Sequence, residues 1–340
     1  MRTAAIIIVA GLLAVGLLAG CRTSGGNKPA AGPEFPNAVP AQADWNAPTG
    51  TGLTPPDAGG ELWPGVACYV DGKVLLYLCH ALQRDPAHAG QPNRKNCAVA
   101  DTTDGTRYVL RGTSLKVGAF PNDCYNEGAC PTGYALTGSE VWLYYGWAQG
   151  RSAVRVDVGL FRMNAGGLTV GADGIALRYD QPSPPKPWPN YSGDEVVPAL
   201  NYEHNGTWVC YYITDRKQLG VAWGPGAATL TSSAMVPMTD VWFMGGGGAQ
   251  RLADGRMALF FTVCPPGSMK PAARFIRCVT VDPANPAAFT HATDYTIGPV
   301  MAAAICYDRA RSKWRLFTNG NLGARDECLG EIQMREAGLR

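Results

Sequence analysis

The stretch PGVACYVDGKVLLYLCH, from Pro64 to His80, reads as one β-hairpin: a short β-prone run, the pair Asp71-Gly72, and a longer apolar run. Asp-Gly favours a two-residue hairpin turn, because both central positions of such a turn need positive φ. The same plan returns four more times: PTGYALTGSEVWLYYGW (131–147), PALNYEHNGTWVCYYIT (198–214), GAQRLADGRMALFFTV (248–263) and PVMAAAICYDRARSKWRLFTNG (299–320). Turn glycines fall at 72, 138, 206 and 255, with the fifth turn near Arg311, at intervals of 66, 68, 49 and about 56 residues. A further β-prone run follows each hairpin, at 95–102, 154–163, 219–224, 274–282 and 328–334. Three to four antiparallel strands per unit, repeated five times, predict an all-β, five-bladed β-propeller. A β-sandwich would use similar hairpins but would not require five-fold repetition at this period.

Composition agrees. The 340 residues include 42 glycines and 26 prolines, a density of chain breakers that suits short strands and tight turns, not long helices. Apolar residues make up 46% and charged residues 16%, enough for a large core and against bulk disorder. Net charge is +2 without a long basic run, which argues against a nucleic-acid partner.

The N-terminus reads as an address. Arg2 precedes an almost unbroken apolar run, Ala4 to Ala19, which is short for a bilayer span and shaped like a signal peptide. It ends in Leu18-Ala19-Gly20-Cys21, a tetrapeptide resembling a bacterial lipobox. The expectation is a signal peptide over 1–20, lipidation of Cys21, and a mature chain held to the cell envelope by acyl chains. Arg22 follows the cysteine in place of Asp, which favours the outer membrane where the host has one. Residues 21–58, rich in Pro, Gly and Ala, are expected to be a flexible tether whose end Trp45 pins to the domain, and 59–340 the propeller domain.

Ten cysteines follow Cys21, an even number that in an exported chain predicts a disulfide-braced fold. The pairs suggested by spacing are Cys124–Cys130, Cys264–Cys278, Cys79–Cys97 and Cys306–Cys328, leaving Cys68 with Cys210. No CxxC pair and no cluster of His residues supports a metal site, and no cofactor motif is present; GxSxG, HExxH, P-loop and GxGxxG stretches are all missing.

The hairpin plan, with Pro ahead of it and Asp-Gly followed by an aromatic run, is similar to that of the furanosidase-type five-bladed propellers, the glycoside hydrolases of families 32, 43, 62 and 68. Thr102-Thr103-Asp104-Gly105-Thr106-Arg107-Tyr108 resembles their Ser-x-Asp-Gly-x-x-Trp stretch, and Leu219-Gly220-Val221-Ala222-Trp223 their Ile-Gly-x-Ala strand. The resemblance implies carboxylates from different blades flanking a bound sugar. It places the base just before the first-blade proline, where Trp63-Pro64 stands with Glu61 two residues back. It places an orienting Asp after the second-blade proline, where Thr132 stands. The acid belongs shortly before the third-blade proline, where Asp194-Glu195 precedes Pro198.

The candidate catalytic residues are therefore Glu195 as acid, with Glu61 or Asp123 as partner. Candidate substrate-binding residues are Trp63, Trp188, Asp194, Asp240 and Trp242, because sugar faces stack on aromatic rings while polar neighbours read the hydroxyls. The expected partner is a carbohydrate, and the expected state a monomer. Two functions follow: a glycoside hydrolase acting on plant or microbial glycans, or a noncatalytic glycan-binding or cell-surface interaction protein with a degenerate site, favoured by Trp63 at the base position.

Overall fold

The structure is a computed structural model that describes residues 34–57, 60–81, 95–102, 104–115, 131–137, 140–148, 156–164, 170–177, 196–214, 217–227, 229–319 and 330–338. The fold is all-β. Strand β1 (Thr49–Gly50) precedes sheet I, made of β2 (Glu61–Val70), β3 (Lys73–Ala81), β4 (Lys95–Asp101) and β5 (Val109–Leu115). Sheet II contains β6 (Pro131–Thr137), β7 (Glu140–Ala148), β8 (Val156–Asn164) and β9 (Val170–Leu177). Sheet III contains β10 (Val196–His204), β11 (Thr207–Thr214), β12 (Leu219–Gly224) and β13 (Ser232–Met235). Sheet IV contains β14 (Trp242–Arg251), β15 (Met257–Cys264), β16 (Phe275–Val281) and β17 (Phe289–Tyr295). Sheet V contains β18 (Ala303–Asp308), β19 (Lys313–Thr318) and β20 (Gln333–Gly338), and its fourth strand is β1.

Among the described residues, then, the strands make five four-stranded antiparallel sheets. The first strands of successive sheets pack on one another: β2 on β6, β6 on β10, β10 on β14, β14 on β18, and β18 back on β2. That closed ring is a propeller arrangement with these strands innermost. β1 closes it, pairing Thr49 with Met334 and Gly50 with Gln333. Without that pairing the last sheet would present a raw edge at β20.

The hairpins form where turn chemistry placed them. Asp71 and Gly72 have φ of 48° and 82°, and Asn205 and Gly206 have 49° and 80°, as a primed turn demands. The Asp104 stretch is also a turn. Its Oδ1 accepts from the backbone N–H of Thr106 (2.8 Å) and of Arg107 (2.9 Å), and those bonds hold the carboxyl below its usual range. The turn delivers Tyr108 onto Phe317 of sheet V, edge to face at 5.2 Å.

Cores lie between the sheets. Leu259, Phe261 and Val263 of β15 face sheet III with Tyr211 and Phe243, while Ala258 and Phe260 face sheet V with Trp314 and Leu316. A middle strand buried on both faces reads as one continuous apolar run, which is why β3, β11 and β15 show no alternation.

Close approach at the axis depends on irregular backbone. Each of the first four innermost strands carries a β-bulge near its start, with Gly65, Thr132, Ala199 and Met244 as the extra residues. A side chain on Gly246 would overlap the Ala199 carbonyl oxygen of β10, and one on Gly248 would overlap that of Ile305 in β18. The Gly245–Gly248 run is therefore a packing device.

Two expectations are corrected. The first is bracing by disulfides. Cys79 is disulfide-bonded, but Cys68, Cys97, Cys210, Cys264, Cys278 and Cys306 are free and buried. Cys79–Cys97, Cys264–Cys278, Cys306–Cys328 and Cys68–Cys210 each contain a free thiol, so none of those four bridges exists; Cys124–Cys130 lies outside the described residues. Cys79 and Cys97 stand opposite one another on β3 and β4, yet Cys97 is not the bonded partner. These cysteines behave as small apolar side chains filling inter-sheet cores, Cys68 between sheets I and II and Cys306 between V and I. The second correction concerns the tether. Residues 34–57 of the expected flexible segment lie in the same compact unit as the sheets. Trp45 packs edge to face on Tyr295 at 6.0 Å, Tyr295 donates to the Pro40 carbonyl (2.8 Å), and Leu53 is buried.

Burial pushes the Cys68, Cys210, Cys278 and Cys306 thiols up, so they are protonated and shielded at neutral pH. Alkylation of the native protein should leave all six free cysteines unlabelled. Alkylation in denaturant without reductant should label all six, and Cys79 only after reduction. Finding the six blocked in the unreduced, denatured chain would contradict the structure.

Candidate functional site

Every innermost strand starts at the same mouth of the axis, called here the upper mouth, and ends at the opposite, lower mouth. The predicted site residues belong to the upper mouth, because they stand at strand starts. Glu61 opens β2, where it is half-buried and opposite Ala81. Trp63 lies two residues on, also half-buried and opposite Cys79. Two residues apart on one strand, Glu61 and Trp63 share a face, so an acid and an aromatic ring stand together at the upper mouth.

Behind them His80 and Asp57 meet at 2.5 Å between Nε2 and Oδ1. His80 is 6% exposed and pairs across the sheet with Leu62. The Leu62 carbonyl is contacted from sheet V by Asn319 Nδ2 (3.4 Å), whose Oδ1 accepts from the Ala302 N–H (3.0 Å). The start of β2 is thus held from its own sheet and from its neighbour.

Asp240 stands two residues ahead of β14 and is engaged in an ion pair. Its carboxylate is drawn to Arg277 of β16 (2.6 Å), which also makes a two-pronged pair with Asp294 of β17 (2.8 and 2.9 Å). The carboxylates, Asp294 foremost, hold the guanidinium above its ordinary value against the opposing effect of burial. Trp242 opens β14 half-buried, opposite Cys264, while its neighbour Phe243 is fully buried in the core between sheets III and IV. Asp123, Trp188, Asp194 and Glu195 lie outside the described residues, as does Cys21; β10 begins at the residue after Glu195.

Sequence reading missed the lower mouth. Tyr134 of sheet II has its hydroxyl 3.4 Å from the Ala249 carbonyl of sheet IV. Burial raises its phenol well above the ordinary range, and Cys68 of sheet I and Cys306 of sheet V are near enough to add to that shift. Its side chain packs against the core between sheets I and II while its hydroxyl reaches sheet IV. Below it a pocket of about 170 Å³ opens among the ends of the inner strands. The signal was present in the sequence as a tyrosine in the first strand of four hairpins: Tyr69, Tyr134, Tyr202 and Tyr307.

No family model matches the sequence, and no curated protein matches it. Solved structures do. A protein described as a glycoside hydrolase superposes with a TM-score of 0.60 at 12% identity, over 90% of this chain and 92% of the other. A glycosyl hydrolase from Bacteroides ovatus gives 0.60 at 11% identity, over 90% and 97%. A β-1,2-mannobiose phosphorylase from Listeria innocua gives 0.55 at 11% identity, over 86% and 94%. The chain has the propeller fold of these carbohydrate-processing enzymes. At such identities the likeness carries the fold, and function rests on the site.

The Arg277 arrangement makes a direct prediction. Asp240 is largely exposed and Asp294 retains the guanidinium without it, so Asp240→Ala should cost less than about 1 kcal/mol in chemical denaturation. Saccharide binding or turnover should be unchanged. A tenfold loss would place Asp240 in the site after all.

Proposed function

We propose that this chain is a lipid-anchored protein of the bacterial cell envelope whose five-bladed propeller binds and hydrolyses a glycan at the upper mouth. One observation carries the reading: Glu61 and Trp63 share a face at the start of an innermost strand, in a fold shared with carbohydrate-processing enzymes. Glu195, just ahead of β10, is the acid that protonates the leaving oxygen, and Glu61 is the second carboxylate; Asp123 is the alternative partner. Trp63, Trp188 and Trp242 offer stacking faces, and Asp194 reads hydroxyls. Cys21 carries the lipid, and the described residues contain no helix long and apolar enough to cross a membrane.

A second reading, a noncatalytic glycan receptor, is favoured by a different observation. The bulged positions of the first four innermost strands hold Gly65, Thr132, Ala199 and Met244, so none carries a carboxylate.

The purified mature protein should be assayed on a panel of aryl glycosides and on a glycan array. Hydrolysis that falls by about 10²–10⁴ in Glu195→Gln, with array binding kept, supports the enzyme. Glu61→Gln should act likewise. Array binding lost in Trp63→Ala, with no hydrolysis by the wild type, supports the receptor. Neither binding nor hydrolysis would overturn both.

A further inference from the structure

The lower mouth is built as a site of its own, apart from the carboxylates of the upper mouth. Its lining includes Asn201 of β10, 1% exposed, whose Oδ1 lies against Gly133 of β6 and whose Oδ1 and Nδ2 have no hydrogen-bond partner among the described residues. A buried carboxamide with both ends unsatisfied loses its hydration without compensation, and native proteins rarely leave one so. The amide offers one acceptor and one donor side by side, which is the complement of two adjacent hydroxyls, each able to give and take a hydrogen bond.

The walls and rim suit the same ligand. Tyr69, Tyr202 and Tyr307 line its walls. Arg309 lies over the Tyr69 ring at 5.7 Å and Arg251 over the Phe35 ring at 5.2 Å, leaving guanidinium donors at the rim. Glu34 and Glu203 line the same pocket, so its formal charges cancel, two against two. A balanced pocket does not favour an anion such as phosphate or a carboxylate; it suits a neutral polyhydroxylated ring.

We infer that the lower mouth is a second binding site, taking one neutral saccharide ring through a vicinal diol on the Asn201 carboxamide. Residues 34–36 form part of the site: Glu34 lies 3.7 Å from Arg309, and the Pro36 carbonyl accepts from the Ala253 N–H (2.9 Å). The N-terminal segment is thereby fastened to the lower mouth, on the side away from Glu61 and Trp63.

The local reporter is the side-chain ¹⁵NH₂ pair of Asn201 in the full mature protein, assigned by its loss in Asn201→Leu. Titration with methyl β-D-glucopyranoside and methyl α-D-mannopyranoside to about 50 mM, where a millimolar site saturates, should shift this pair along a binding curve for at least one of them. Arg309→Gln, at the exposed rim, should weaken that curve at least threefold. Trp63→Ala should leave it unchanged, which separates this site from the upper mouth. Asn201→Leu should melt no lower than the wild type, because it removes the unsatisfied amide. An Asn201 pair unmoved by both glycosides overturns the proposal, as does a pair that shifts with inorganic phosphate instead, or a curve abolished by Trp63→Ala.

Discussion

Five innermost strands meeting backbone to backbone at one axis are the constraint on which the rest of this molecule depends. A strand with ordinary side chains cannot approach its neighbour so closely. Gly246 and Gly248 face the carbonyls of Ala199 and Ile305, and Gly65 faces that of Pro131. Bulges at the same level of β2, β6, β10 and β14 give the local bend and reset which residues face which neighbour. In β2 the reset is visible: Leu62 and Ala67 share the core with sheet V, although ordinary alternation would set them on opposite faces. Sheets held together at the axis must fan outward, and the space between them is filled by Trp314, Phe260, Tyr211 and Phe261.

That geometry divides the molecule into two working ends. Tyr134 reaches from sheet II to the Ala249 carbonyl of sheet IV, and each mouth holds its own polar groups. Strand starts carry Glu61 and Trp63; strand ends carry tyrosines, arginines and an unsatisfied Asn201. Sheet V is stiffened separately by a buried cluster in which Arg315 meets Asp308 (3.0 Å) and Glu336. Such a cluster is destabilising if one partner is removed, and contributes to a single arrangement at the seam where β1 closes the ring.

Much of this was legible in the sequence. Primed turns have strict residue needs, so Asp71-Gly72 and Asn205-Gly206 located hairpins, and their spacing located the repeat. In segment 34–57 Trp45 was legible as an anchor and docks on Tyr295, but the Pro and Gly content masks how much of the segment is packed, since the burial of Leu53 depends on distant residues. The cysteines were misread because an even count says nothing about direction. Each free thiol occupies an inward strand position where a small apolar group fits. At the site, Glu61 and Trp63 were each legible as candidates ahead of the first-blade proline, whereas the capture of Asp240 by Arg277 depends on a residue 37 positions away and left no local mark. Asn201 was invisible for the same reason, since an asparagine before a hairpin turn reads as ordinary until its burial is known.

The closed ring depends on the axis contact, and two adjacent glycines separate that contact from any general intolerance of side chains in the run. Gly246 has the Ala199 carbonyl in the place of a Cβ, while Gly245 has nothing within 4 Å of that position, and neither has positive φ. Chemical denaturation of Gly246→Ala against Gly245→Ala reads the difference directly. Gly246→Ala should lose about 3 kcal/mol or more, or fail to fold, and Gly245→Ala should stay within about 1 kcal/mol of the wild type. Equal stability of the two variants would contradict the close approach of β14 to β10, and with it the closed axis.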